Sequence, residues 1–260
     1  MDKNAQIISG AIEVLHRNVD TGTPAASLDP RAKIIVTAVF VTVVVSYSKY
    51  SVLDLLPYFA FPLFLIVIGS ISLKALFKRM LPAAVFAVMV GIANPFLDPN
   101  QVVINNYAFS AGWVSFLSIL IRFSLCAAAA FLLILTTEMS RINMALKYLG
   151  VPDVFINQMF FMERYIVLLA DEALKISRAR AARSFGKKGY GITVFTNIIT
   201  NLLLRTYTRA ENIFNAMQSR GFTGTLVRGN KLKWKLYDTL FLLSWIIFFL
   251  SVKFNLIGSF

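Results

Sequence analysis

The residues of this sequence best suited to chemistry are arginines. Two of them sit in matching surroundings: Arg183 in Arg178-Ala-Arg-Ala-Ala-Arg183-Ser-Phe-Gly186, and Arg220 in Ala216-Met-Gln-Ser-Arg220-Gly-Phe-Thr-Gly224, 37 positions later. Their neighbours are small, Ala182 and Ser184 beside the first and Ser219 and Gly221 beside the second. A guanidinium presents its donors in a rigid fork that matches a carboxylate bidentately. Small neighbours let such a fork enter a groove at little steric cost. The repeated device therefore points to docking on an acidic surface.

Other chemistry is poorly supplied. The chain has one cysteine, Cys126, inside an apolar run, and one histidine, His16. A zinc cluster, a Cys/His nucleophile pair or an internal disulfide framework cannot be assembled from these, and Cys126 reads as a small buried hydrophobe. The stretch Gly186-Lys-Lys-Gly-Tyr-Gly191 lacks the spacing of a phosphate loop and has no strand before it, so no ATP binding by that device is expected. Asp171 and Glu172 are neighbours and point about 100° apart on a helix, as surface charges rather than an acid/base pair. Arg122 and Glu138 read as residues at the two ends of one apolar run, where a side chain reaches the interface. No catalytic, cofactor or metal site is expected in the chain. Nucleic-acid binding is not expected either, for want of a Cys/His finger or an RNP-like aromatic signature. Lys187, Lys188, Lys231, Lys233 and Lys235 suit anionic lipid headgroups.

The elements that carry these residues follow from composition and period. Of the 260 residues, 57% are hydrophobic and 15% charged, against about half and about a quarter in soluble domains, which excludes an ordinary soluble enzyme. The net charge of +13 is concentrated. Between Lys175 and Lys235 stand thirteen basic residues and one acid, Glu211, a net +12. The apolar runs lie elsewhere, at Ile34–Ser46, Val52–Ile71, Met80–Phe96, Trp113–Thr137 and Leu236–Val252. A helix needs about 20 apolar residues to span a bilayer, so about five spans are expected, some extended at their ends. The small tract Cys126 to Ala130 invites close approach of a neighbouring helix. Lys and Arg alternate between connections in the sense that puts the N-terminus in the cytoplasm and the C-terminus outside. The first residues show no secretory signal and read as a short interfacial lead.

Between Glu138 and Lys235 the period becomes helical. Phe155, Met159, Met162, Ile166, Leu169, Ala173 and Ile176 recur at steps of three and four, as do Phe195, Ile199, Leu202, Ala210, Ile213 and Met217, the pattern of two long amphipathic helices. Gly186, Gly189 and Gly191 break the pattern between them. Each helix runs into one of the two arginine motifs. The organisation expected is a cytoplasmic lead over 1–31, a membrane domain over 32–138 holding about four spans, a cytoplasmic region of long amphipathic helices over 139–234 and a last transmembrane helix over 235–260.

Several of these residues together resemble the transmembrane T component of energy-coupling factor transporters, in its cobalt and nickel branch, the CbiQ family. The matching segments are Leu28-Asp-Pro-Arg-Ala-Lys33, Leu135-Thr-Thr137, Glu163-Arg-Tyr165, Ala170-Asp-Glu-Ala173, Ala182-Arg183-Ser184, and Arg209-Ala-Glu211 leading to Ala216-Met-Gln-Ser-Arg-Gly221. The resemblance implies a non-catalytic subunit that links a substrate-binding membrane subunit to two cytoplasmic ABC ATPase subunits. It further implies that Arg183 and Arg220, with Ala182, Ser184, Ser219 and Gly221, dock into grooves on those ATPases. ATP and Mg would then be bound by the ATPases. Ser184 stands where Gly is common in that family, and keeps the position small. Thr136-Thr-Glu-Met139 and Leu149-Gly-Val-Pro152 look like the metal-ion branch. Metal recognition would fall to a separate subunit.

The expected protein is thus an all-α integral membrane protein of the cytoplasmic (inner) membrane, with about five transmembrane helices and two long amphipathic cytoplasmic coupling helices. Its partners would be the ATPases, the substrate-binding subunit and the bilayer, and its cargo cobalt or nickel. Three rival readings are the shared T component of a vitamin transporter, a membrane-embedded lipid-modifying enzyme, and a basic membrane tether. The enzyme reading requires an interfacial carboxylate cluster, which the sequence does not supply.

Overall fold

Leu28-Asp29-Pro30 starts a helix for local reasons. Asp29 is extended (φ −64°, ψ 127°) and its carboxylate accepts the Arg31 N–H, while Pro30 fills the first helical position, where its missing N–H costs nothing. The resulting α1, Pro30–Val45, is the first main element of a computed structural model that describes residues 24–48, 52–97, 101–104, 107–183, 192–224 and 232–257. A 3-10 turn, Leu53–Phe59, leads into α2, Ala60–Gly69. Next come α3, Leu73–Gly91, and a single helical turn, Asn94–Leu97. Strands β1, Gln101–Ile104, and β2, Tyr107–Ser110, pair antiparallel with Gln101 opposite Ser110 and Ile104 opposite Tyr107. Helices α4, Ala111–Leu135, α5, Met139–Tyr148, α6, Asp153–Arg183, α7, Ile192–Ser219, and α8, Leu236–Ile257, complete the chain.

The protein is an all-α membrane protein, and the β1–β2 ribbon is the only strand pairing among the described residues. Each of the five apolar runs is helical. Among the described residues two helices, α4 and α8 over Leu236–Phe254, are long and apolar enough to cross a membrane by length and composition. The 16 residues of α1 rise about 24 Å, short of a bilayer core of about 30 Å. The second run, expected as one helix, is divided at Ala60 because Pro57 sits inside its 3-10 part. The third run starts seven residues earlier than its apolar pattern, at Leu73 rather than Met80, so that Lys74, Lys78 and Arg79 belong to its first two turns and not to a connection. Arg122 is not at a helix end: it lies near the middle of α4, and its guanidinium donates to the Ser48 carbonyl beyond the end of α1.

The described residues fall into two units, one from 19–145 with 232–260 and the other from 146–231. The core of the first unit is aromatic and aliphatic. Phe40 of α1, Phe61 of α2 and Phe249 of α8 meet with ring centroids 4.9–5.6 Å apart, and Tyr58 closes the group with its hydroxyl on the Phe249 carbonyl. Val36, Leu55, Leu125 and Leu132 fill the remaining space. Ala128 and Ala129, in the small tract of α4, are buried there, as expected of a close helix approach. At Gly112 a Cβ would lie 2.6 Å from Pro95 Cα, so only glycine lets α4 start against the preceding turn.

In the second unit, α6 and α7 run antiparallel. Glu172 and Arg205 form an ion pair at 2.6 Å near the middle of both helices, beside a hollow of about 280 Å³ lined by Leu169, Leu202, Thr206 and Arg209. Lys147 pairs with Asp153 at 2.6 Å across the turn before α6. Only Ile156 and Leu174 of α6 are buried, and no described side chain of α7 is. The face of α7 that packs is accordingly narrower than its apolar stripe: Leu202, Ile213 and Met217 are half-buried, whereas Phe195, Ile199 and Ala210 are exposed.

Candidate coupling site

The two arginine motifs end the two antiparallel helices. Arg183 is the last residue of α6, exposed together with Ala182; Ser184 lies outside the described residues. Ser219 is the last residue of α7, and Arg220 and Gly221 follow it, all exposed. The end of α7 is built by its sequence. Gly221 takes φ 78°, the left-handed conformation that other residues adopt at a cost. Its N–H reaches the Gln218 carbonyl at 2.9 Å and the Phe222 N–H reaches Met217 at 3.0 Å, the reciprocal pair of a Schellman stop. Arg220 is thereby held at the last turn, where the negative end of the helix dipole favours a cation. The turn at Gly150 (φ 96°) repeats the geometry, with Gly150 N–H on Lys147 and Val151 N–H on Leu146, both at 3.1 Å.

The structure keeps the two arginines apart. Asn157, in the first turn of α6, donates from Nδ2 to the Gly224 carbonyl at 2.7 Å, so the Arg220 end of α7 lies at the start of α6. Arg183 stands 26 residues further along α6, about 39 Å at the helical rise. One antiparallel pair therefore offers two separate guanidinium ends, each beside small residues.

A second group, whose members are scattered through the sequence, is buried and joined. Asp238 is the third residue of α8. Its Oδ2 accepts the Lys235 N–H at 2.9 Å, half of a capping box, and its Oδ1 accepts the Asp29 N–H at 2.8 Å. The starts of α1 and α8 are thus capped through one carboxylate. Lys33, one turn into α1, donates from Nζ to the Thr136 carbonyl at 2.9 Å and to Thr137 Oγ1 at 3.0 Å, which caps the C-terminus of α4. Arg141 of α5 donates to the Ala26 carbonyl and, at 3.5 Å, to that of Leu28. Asp29, Lys33, Thr136, Thr137 and Asp238 are each at most 3% exposed. A buried charge is tolerated only where hydrogen bonds replace its water, and the three charged members, Asp29, Lys33 and Asp238, are each hydrogen-bonded. The only sequence signals were local: an Asp-Pro helix start at Asp29 and an acid three residues after Lys235.

One unit is an apolar helical bundle closed by buried caps, and the other is an antiparallel helix pair with an exposed arginine at each end. The chain belongs to the CbiQ family of cobalt transport proteins, which it matches over residues 22–234. It is 28% identical over 232 residues to an uncharacterised protein of Methanocaldococcus jannaschii, covering 85% of this chain and 79% of that one. It is 27% identical over 231 residues to the energy-coupling factor transporter transmembrane protein EcfT of Staphylococcus aureus, covering 82% and 85%. To the nickel permease LarQ of Lactiplantibacillus plantarum it is 28% identical over 165 residues, covering 62% and 58%. The relatives named EcfT and LarQ are transport components of membranes.

Proposed function

We propose that this chain is the non-catalytic coupling subunit of an energy-coupling factor importer, most directly one for cobalt or nickel, with about five spans, a cytoplasmic coupling unit and an outward C-terminus. The observation that carries the reading is the placement of Arg183 and Arg220 at opposite ends of one antiparallel helix pair, each exposed. Two ATPase subunits, one for each arginine, fit that placement. ATP and Mg would be held by those subunits, and closure of the ATPases would shift the docked helix ends. The resulting displacement would be passed to a separate membrane subunit that recognises the cargo. Such coupling requires the docked ends to differ in free energy between the partners' two states, since tight binding alone shifts nothing. The metal-ion cargo is supported by the cobalt transport description of the family and by the nickel permease among the relatives. The likeness to EcfT, which extends over more of the chain than the likeness to LarQ, supports the energy-coupling factor class and names no cargo; a vitamin is the rival cargo.

Purification in mild detergent tests the reading. ATPase subunits should co-isolate with the wild-type chain, and Arg183→Ala with Arg220→Ala should lose them or abolish ion uptake, with the thermal midpoint of the chain unchanged because both side chains are exposed. Normal assembly and normal Co²⁺ and Ni²⁺ uptake by the double variant would overturn the docking roles. Vitamin uptake in place of ion uptake would reassign the cargo.

A further inference from the structure

The chain enters the coupling region through residues 136–141 and returns from it at 232–238, and both places are tied to one short segment, residues 26–33. On the outgoing side Lys33 holds Thr136 and Thr137 at 2.9 and 3.0 Å, and Arg141 reaches back to the carbonyls of Ala26 and Leu28. On the returning side Asp238 holds the Asp29 N–H at 2.8 Å, and Arg31 Nη2 donates to the Leu232 carbonyl at 3.3 Å. The partners are more than a hundred positions apart in sequence, so no local folding preference explains them. Each tie involves a charged group, and four of the tied residues other than Lys33 are at most 3% exposed, where hydrogen bonds are strong and water does not compete.

We propose that residues 26–33 are a clamp that pins both ends of the coupling region, with Lys33, Arg141 and Asp238 as positioning residues for energy coupling. The proposal rests on the coupling function set out above. A loop pinned at both ends delivers a displacement of its helices to the pins; a loop with slack ends absorbs it. Here the pins are the start of α1, the end of α4 and the start of α8, so motion arriving from the coupling region enters three helices of the membrane unit at once. A purely architectural staple would hold the same residues together but would leave the yield of transport per ATP untouched.

The experiment uses the complete complex in lipid vesicles and reads ATP hydrolysis and radiolabelled Co²⁺ import together, for wild type, Thr137→Val, Thr137→Ser and Asp238→Asn. Val keeps the shape of Thr and removes one of the two acceptors of Lys33, leaving the Thr136 carbonyl; Ser keeps both. Thr137→Val and Asp238→Asn complexes should assemble and hydrolyse ATP, with import per ATP lowered about fivefold or more, the low end of ordinary coupling free energies. Thr137→Ser should stay near wild type. An unchanged import-to-hydrolysis ratio in Thr137→Val, or a fall in import matched by an equal fall in hydrolysis and in complex yield, overturns the clamp. If Asp238→Asn does not accumulate, Thr137→Val decides alone. A wild-type complex that hydrolyses ATP and imports neither Co²⁺ nor Ni²⁺ overturns the cargo reading and not the clamp, whose test is the change in import per ATP between wild type and variants.

Discussion

The capped ends of the membrane unit and the open ends of the coupling helices use the same residue types for opposite purposes. Lys33 and Asp238 are buried and bonded to backbone atoms from distant parts of the chain. Arg183 and Arg220 stand exposed at the ends of helices that bury very little. In the first region desolvation makes each charge costly to leave unpaired, so the residues specify how the chain closes. In the second region water already serves the charge, and the guanidinium is available to a partner at small cost. Burial, rather than residue identity, separates charge that builds the protein from charge left at its surface.

That contrast can be broken at three places, in decreasing order of effect. Asp238→Ala removes the acceptor of two N–H groups, from Lys235 and Asp29, and strips the partner from a buried cluster; a loss of about 3–5 kcal/mol is expected, read as a large drop in the thermal midpoint in detergent. Survival of this variant near the wild-type midpoint would show that the buried side of the comparison is wrong. Gly221→Ala forces a Cβ into the left-handed region at φ 78°, although no atom lies within 4 Å to clash with it. It should cost about 1–2 kcal/mol, confined to fraying of the last turn of α7 in hydrogen exchange, with Arg220 no longer held. Glu172→Gln should be the mildest. The pair with Arg205 has that arginine side chain 64% exposed, and exposed pairs contribute at most about 1 kcal/mol. A double-mutant cycle with Arg205→Gln should accordingly return a small coupling energy. A coupling as large as that expected at Asp238 would move this pair into the buried class.

Much of the fold is legible in the sequence, for identifiable reasons. Helices α4 and α8 stand out because twenty or so apolar residues leave no other stable form in a bilayer, and α6 and α7 because their apolar residues keep the helical period. The arginine ends are legible because each lies where that period stops at small residues. The start of α3 is not, since an apolar run marks where a helix meets lipid or core, not where it begins: Lys74, Lys78 and Arg79 form its first two turns. The β1–β2 ribbon is missed although Val102-Val-Ile104 and Tyr107-Ala-Phe109 flank an Asn pair, a short hairpin signal. Arg122 is placed at a helix end by its charge, whereas α4 starts and stops so as to leave it central. The buried clamp is the least legible part. Asp29 and Asp238 are 209 positions apart, and no periodicity connects residues whose meeting depends on how α1, α4 and α8 pack.

The ion pair between Glu172 and Arg205 also divides α6 and α7 into arms of unequal length. Arg183 is 11 residues from Glu172 and Arg220 is 15 from Arg205, about 16 Å and about 22 Å at the helical rise. For a given change of angle about that point, the tip carrying Arg220 travels about 1.4 times as far as the tip carrying Arg183. Equal strokes applied to the two tips would therefore produce unequal tilts, and two identical partners acting on them would not be mechanically equivalent.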